Sequence, residues 1–266
     1  MAGTDDAVAF FTAEAEHLVP AAHANSPWAP EMLHGRLLGG LLARELERAH
    51  GDPELHFTRL TVDLFRNTGM VPVRVDSERV RDGRRIRVAD ATAYAGGRPV
   101  ARASAVLLRR TGQPAGAVRA TPAWDAPTPD ELGPAPRRHG EWPVPFDAWL
   151  LDDAGVPSTW DDGRVRRAWL RERHPLVDGE PTSPFVRAAL AADFASPLAH
   201  FGDRGLEFIN ADYTLVLGRS PQGEAIGLEA AGHISEDGVA VGDCTVHDTS
   251  GPLGHCTVTA VANRTP

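Results

Sequence analysis

The stretch SPFVRAALAADFASPLAHF, Ser183 to Phe201, decides how this chain is read. Val186, Ala189 and Leu190 recur at three- and four-residue steps, the spacing of a helix face turned toward a core. The next step lands on Asp193, so a carboxylate sits on the apolar stripe. Burying an unpaired charge is costly, and a position chosen for stability alone would hold Leu or Ala, so Asp193 needs a partner or a task.

Working outward, four runs with strand-like alternation follow that helix: LEFINADYTLVLGR (206–219), EAIGLEAAGHI (224–234), VAVGDCTVHD (239–248) and LGHCTVTAVA (253–262). The same order stands earlier in the chain. A helical pattern, APEMLHGRLLGGLLARELERAH (29–50), precedes LHFTRLTVDLFR (55–66), VPVRVDSERV (71–80), RRIRVADATAY (84–94) and PVARASAVLLRR (99–110). Turn signals align too, Asp82-Gly83 with Asp237-Gly238 and Gly96-Gly97 with Ser250-Gly251. Between the copies, residues 111–160 hold nine prolines and read as an irregular connection. Tryptophans gather in and beside it (Trp124, Trp142, Trp149, Trp160, Trp169), which predicts that it packs against the sheets. VRRAWLRERHPL (165–176) can add a strand anchored by Trp169 and Leu170.

The expected organisation is therefore one unit duplicated: an N-terminal unit over 1–110, the connection, and a C-terminal unit over 161–266. An antiparallel sheet with one apolar face buries it most simply around its own long helix, which makes the class α+β and the architecture a double hot-dog. Edge-to-edge pairing of the two sheets would hide strand edges, and leftover edges leave room for a homo-oligomer.

Composition narrows the chemistry. Net charge is −9 with no basic stripe, so nucleic acid is not an expected partner. All 27 basic residues are arginine, which removes the Walker A lysine, Schiff bases and pyridoxal phosphate anchoring. HExxH, CxxC and GxSxG motifs are missing, and the histidines show no metal-ligand spacing, so no metal is expected. No apolar run is long enough for a membrane span, and MAGTDDAVAFF carries acids where a secretory signal carries bases, so the expectation is a cytoplasmic protein. Cys244 and Cys256 are expected as free buried thiols on neighbouring strands.

The first-half runs SPWAPEMLHGRLLGGLLARELE and TRLTVDLFRN, with PLVDGEPTSPFVRAALAADFASPL, FINADYTLVLGRSPQGEAIGLEA and DGVAVGDCTVHDTSGPLGHCTV of the second half, resemble the thioesterase-like superfamily related to acyl-CoA thioesterase II, the TesB-like double hot-dog proteins. The resemblance implies hydrolysis of an acyl-coenzyme A to a carboxylic acid and free coenzyme A in fatty acid metabolism. It implies no metal and no cofactor, coenzyme A being part of the substrate, and one water held by an Asp, a Thr or Ser, and a Gln. The Asp falls on Asp193. The hydroxyl position falls on Asn210, and the glutamine position on Thr259, or on Val258 if the register differs by one; a glutamine is absent either way, which weakens water positioning.

Thioester hydrolysis needs a base, donors for the developing oxyanion and a place for the acyl chain. Asp193 is the candidate base, with Asn210 to align it and Thr259 as third catalytic candidate. His34, Gly35 and Gly39, at and after the start of the first helix, are the substrate-binding candidates, because unbonded amides there can receive a carbonyl oxygen and glycines admit a close approach. Two other readings stand beside this one: an acyl-thioester binder without turnover, suggested by the missing glutamine, and an enoyl-thioester hydratase using Asp193 and His200. Acyl length and polarity are left open by the sequence.

Overall fold

The computed structural model describes residues 8–136 and 145–263; Trp142 lies outside them. The N-terminal unit opens with the hairpin β1 (Phe11–Glu14) and β2 (His17–Pro20), then the short ladder β3 (Asn25–Ser26) and β4 (Ala29–Leu33). α1 (Gly35–His50) follows, and then β5 (Leu55–Leu64), β6 (Val73–Asp82), β7 (Ile86–Ala95) and β8 (Arg98–Arg109). The connection carries the one-turn α2 (Pro129–Leu132) and β9 (Phe146–Leu151). The C-terminal unit holds β10 (Arg167–Glu172), α3 (Pro184–Ala192), α4 (Ala195–His200), the two-residue strands β11 (Phe201–Gly202) and β12 (Gly205–Leu206), β13 (Phe208–Asn210), β14 (Asp212–Leu217), β15 (Ala225–Glu236), β16 (Val239–Asp248) and β17 (Gly251–Ala262).

Thirteen of these strands make one sheet, in the order β1-β2-β6-β7-β8-β5-β14-β17-β16-β15-β10-β9, with β13 beside β17. The units join where β5 pairs antiparallel with β14, Leu60 opposite Leu215, and the Thr61 and Thr214 hydroxyls 3.1 Å apart. Each half of the sheet folds over helix, and α1 also packs on α3. This is the double hot-dog arrangement. Small side chains make it possible: Ala89, Ala91, Ala93, Ala101, Ala103 and Ala105 face inward on β7 and β8, so the Leu37, Leu38, Leu41, Leu42 and Leu46 face of α1 can sit close. The turn signals also match their places, with Gly96 and Gly97, and Asp237 and Gly238, all at positive φ, the conformation that two-residue hairpin turns require.

Three local expectations need correction. Ala29–Leu33, read as the start of the first helix, is strand β4, and α1 begins only at Gly35. The connection is not wholly irregular, because Phe146–Leu151 forms β9, the edge strand paired with β10. The second unit does not wrap one long helix: the helix divides into α3 and α4 at Asp193 and Phe194. Pro197 gives the reason. It has no N–H to donate to the carbonyl of Asp193 four residues back, and its ring crowds that carbonyl; the Asp193 oxygen instead accepts from Ser196 at 3.2 Å.

The connection packs down as its tryptophans predict. The indoles of Trp169 and Trp149 donate to the carbonyls of Pro127 and Gly133 at 2.9 and 2.8 Å, and Trp124 lies over Gly227, where a Cβ would meet its ring at 2.6 Å. This cluster covers the sheet face opposite the helices. Trp160 instead joins the main core, stacking on Phe201.

The glycines of α1 answer to packing. A Cβ on Gly39 would lie 2.2 Å from the Tyr213 hydroxyl, and one on Gly40 2.5 Å from Leu190. Gly39, read from sequence as substrate-binding, is therefore filled by a side chain of the other unit. Gly39→Ala is expected to cost about 1–3 kcal/mol by overpacking, with part of that loss recovered when Tyr213→Phe removes the clashing oxygen; urea unfolding of the single and double variants checks this.

Candidate active site

Asp193 sits in the break between α3 and α4, half-buried, with helical φ of −60° and ψ of −26°. The break matters because it leaves the carboxylate at the end of one helix and the start of another, facing the strand beneath. Asn210 donates to it, Nδ2 to Oδ1, at 2.9 Å. How Asn210 comes to face the helices follows from a slip in strand pairing. Asn210 pairs with Ala260 and Thr214 with Thr257, so the chain gains one residue against β17 between them. That bulge at Ala211 reverses the side-chain alternation. Asn210 and Tyr213, three apart, thus turn to the same side, where Tyr213 donates its hydroxyl to the Ala189 carbonyl at 2.9 Å.

The first unit supplies a cation. Arg36, in the first turn of α1, is 4% exposed and forms a two-point ion pair with Glu172 of β10 at 2.7 and 2.9 Å. Its guanidinium lies 4.5 Å from the centre of the Phe146 ring, which meets Phe194, next to Asp193, edge to face at 5.9 Å. Burial raises the pKa of Asp193, and the Asn210 bond and the Arg36 charge oppose that rise. His34, at the N-cap of α1, is pushed down to about 3 by burial and then by Arg36, so it is neutral at physiological pH. Burial, and then the Asp193 charge, hold the Tyr213 phenol well above its ordinary range.

Of the sequence candidates, Asp193 and Asn210 are brought together, and His34 and Gly35 open the helix that carries Arg36. Thr259 is not part of this group. Its side chain points to the exposed outer face, where its hydroxyl and amide donate to Asp212 at 2.7 and 2.9 Å. Val258, the alternative position, is the inward residue and fully buried. His200 lies at the far end of α4, its Nδ1 2.8 Å from Nδ1 of His233. His247 stacks on Trp124, and His255 is exposed. Among the described residues no three His, Cys, Asp or Glu side chains are grouped to hold a metal, and no helix is long and apolar enough to cross a membrane. Cys244 and Cys256 are opposite one another on β16 and β17, both free and buried.

Sequence reasoning missed Arg36, Glu172 and Tyr213. An arginine inside the apolar run LHGRLLGGLL is the one available signal; its partner lies 136 residues away.

A raised native pKa makes the ionised carboxylate a liability. Between the ordinary carboxylate pKa near ~4 and the raised native value, the native state binds more protons than the unfolded chain, so stability falls as pH rises through that window. Asp193→Asn is therefore expected to be more stable than the parent at pH 7, with the difference closing as pH falls toward ~4; thermal unfolding across pH measures it.

Comparison with known proteins agrees with this architecture. A family model described as the acyl-CoA thioesterase N-terminal domain matches residues 24–108, and one described as the acyl-CoA thioesterase C-terminal domain matches residues 117–262. No curated protein matches the sequence. Among solved structures, the chain is similar to a TesB protein from Mycobacterium avium subspecies paratuberculosis (14% identity over 92% of both chains, TM-score 0.66). It is also similar to an acyl-CoA thioesterase II from Mycobacterium marinum (16% identity, 96% of this chain and 94% of that one, TM-score 0.63). A hot-dog protein of unknown function from Alicyclobacillus acidocaldarius gives 18% identity over 98% of both chains and a TM-score of 0.68. At such identities the structural likeness speaks for the fold.

Proposed function

The chain belongs to the acyl-CoA thioesterase family, and on that premise we propose that it cleaves an acyl-CoA thioester by water attack with Asp193 as the base, without metal or added cofactor. The observation that carries this reading is the hydrogen bond from Asn210 to Asp193 at the break between α3 and α4, which aligns a half-buried carboxylate whose pKa is raised by burial. Asp193 takes a proton as the water oxygen attacks the carbonyl carbon. The carbon–sulfur bond then breaks, and Asp193 passes that proton to the leaving thiolate, giving free coenzyme A and the carboxylic acid and restoring the carboxylate. His34, held neutral, and the backbone amides opening α1 are suited to donate to the oxygen as it becomes negative.

One feature favours binding without turnover: of the two residues onto which the family's glutamine position can fall, Thr259 points outward and Val258, turned inward, offers water no hydrogen bond. The hydratase alternative is disfavoured by His200, which bonds to His233 at the end of α4 remote from Asp193.

Release of free thiol from a panel of acyl-CoA esters tests the activity. Asp193→Ala is expected to lower kcat by about 10²–10⁴-fold in a protein that remains folded; undiminished turnover would remove Asp193 from the reaction. The Arg36–Glu172 pair supplies a pH test. Removing both charges together, as Arg36→Met with Glu172→Gln, takes away a cation that favours ionised Asp193. The acid limb of kcat/KM is then expected to move to higher pH, and an unmoved limb would show that the guanidinium does not act on the base.

A further inference from the structure

The break between α3 and α4 does more than redirect the chain. In a continuous helix each carbonyl accepts from the N–H four residues on. Here the Asp193 N–H turns to Ala191 instead of Ala189, and the Ser196 N–H turns to Asp193 instead of Ala192. Two carbonyls just before the base thus lose their helical donors, at residues that are fully buried away from water.

The sheet beneath supplies replacements. Tyr213 of β14 donates its hydroxyl to the Ala189 carbonyl at 2.9 Å, and Cys256 of β17 donates its thiol to the Ala192 carbonyl at 3.5 Å. Cys256 lies opposite Leu215, two residues beyond Tyr213, so both donors stand on the inner face of paired strands. Their acceptors, three residues apart, are ~4.5 Å apart along the helix. On the next strand Cys244, opposite Cys256, approaches the Ala195 carbonyl just past the break at 4.0 Å. Burial, and then Cys244 and Asp193, hold the Cys256 thiol well above its ordinary range, so it keeps the proton that it donates. A position chosen for packing alone could hold Ala or Val; a thiol fills similar space and adds a donor.

Resting on the thioesterase reading, we propose that Cys256 and Tyr213 are positioning residues for Asp193, their two bonds seating the end of α3 on the sheet at the height where Asn210 reaches the carboxylate. Ala192 immediately precedes Asp193, and Asn210 lies three residues before Tyr213 across the bulge at Ala211. The same sheet therefore holds the last turn of α3 by its backbone and the carboxylate by its side chain. Loosening the backbone contacts weakens the Asn210 bond, and since that bond opposes the effect of burial on Asp193, the carboxyl is then driven further upward.

Substitution separates donation from packing, because Ser and Ala are close in size, both smaller than Cys, and only Ser donates. Cys256→Ala is expected to lower kcat for thiol release by about 10–100-fold with KM little changed, and to move the acid limb of kcat/KM to higher pH. Cys256→Ser is expected to recover most of both effects. Tyr213→Phe, which keeps the ring against Gly39 and removes its donor, is expected to behave as Cys256→Ala does. Equal effects of Ala and Ser at 256, or an acid limb unmoved in Cys256→Ala and Tyr213→Phe, overturn the proposal. Titration of the Asp193 carboxyl carbon by NMR, assigned by difference from Asp193→Asn, reads the same contacts without turnover. A pKa raised in Cys256→Ala and Tyr213→Phe and restored in Cys256→Ser, in a protein that releases no thiol from any acyl-CoA, would keep the positioning role and remove the thioesterase reading. Asp193-dependent thiol release with that pKa fixed in all three variants would do the reverse.

Discussion

The site depends on one constraint, that a carboxylate and an amide from different elements meet only because both elements are irregular at that point. A continuous helix through Asp193 would keep its backbone bonded from residue 197, and Pro197 forbids this. A regular strand would alternate Asn210 away from the side Tyr213 faces, and the one-residue slip against β17 prevents that. The bond from Asn210 to Asp193 links these two departures from regular structure. Neither irregularity alone brings the two side chains together.

The duplication explains why the site belongs to neither unit by itself. The ladder between β5 and β14 fixes the two sheets edge to edge, and α1 then lies against α3 through Gly39 and Gly40. With no Cβ at those positions, the other unit's Tyr213 and Leu190 close in, and this approach delivers the first turn of α1 toward Asp193. Arg36 completes the contact. A buried guanidinium is costly without partners, and Glu172 meets it with two oxygens while Phe146 and Phe10 cover its faces. A charge pair between the units thus stands beside a carboxylate of the second one.

Much of this could be read from residues in order. The repeat of a helical run and four alternating runs predicts both sheets, and Asp193 announces itself as the acid on an apolar stripe. Paired turn signals fix where each strand reverses. Asn210 is legible as a candidate only through family likeness, since nothing local distinguishes it from any strand asparagine. What escaped reading depends on register or on distance. Whether Thr259 or Val258 faces inward turns on a single residue of alternation. That Gly39 accommodates Tyr213, and that Arg36 answers Glu172, requires knowing which segments from separate halves become neighbours.

The proposed mechanism has no glutamine to hold its water, since Thr259 points outward and Val258 is apolar, and the hydrogen-bond inventory says which groups are left for the task. An asparagine amide has two N–H donors and one carbonyl acceptor. One N–H is committed to Asp193 Oδ1, leaving Asn210 a donor and an acceptor beside the base. The Tyr213 proton goes to the Ala189 carbonyl, so that hydroxyl can only accept. On the proposed mechanism, the attacking water would be held by Asp193 and Asn210, which would make orientation of the asparagine amide more consequential than where a glutamine shares the task. The bulge at Ala211 fixes that orientation, so a backbone irregularity two residues before Tyr213 carries a burden that a side chain bears elsewhere in the family's pattern.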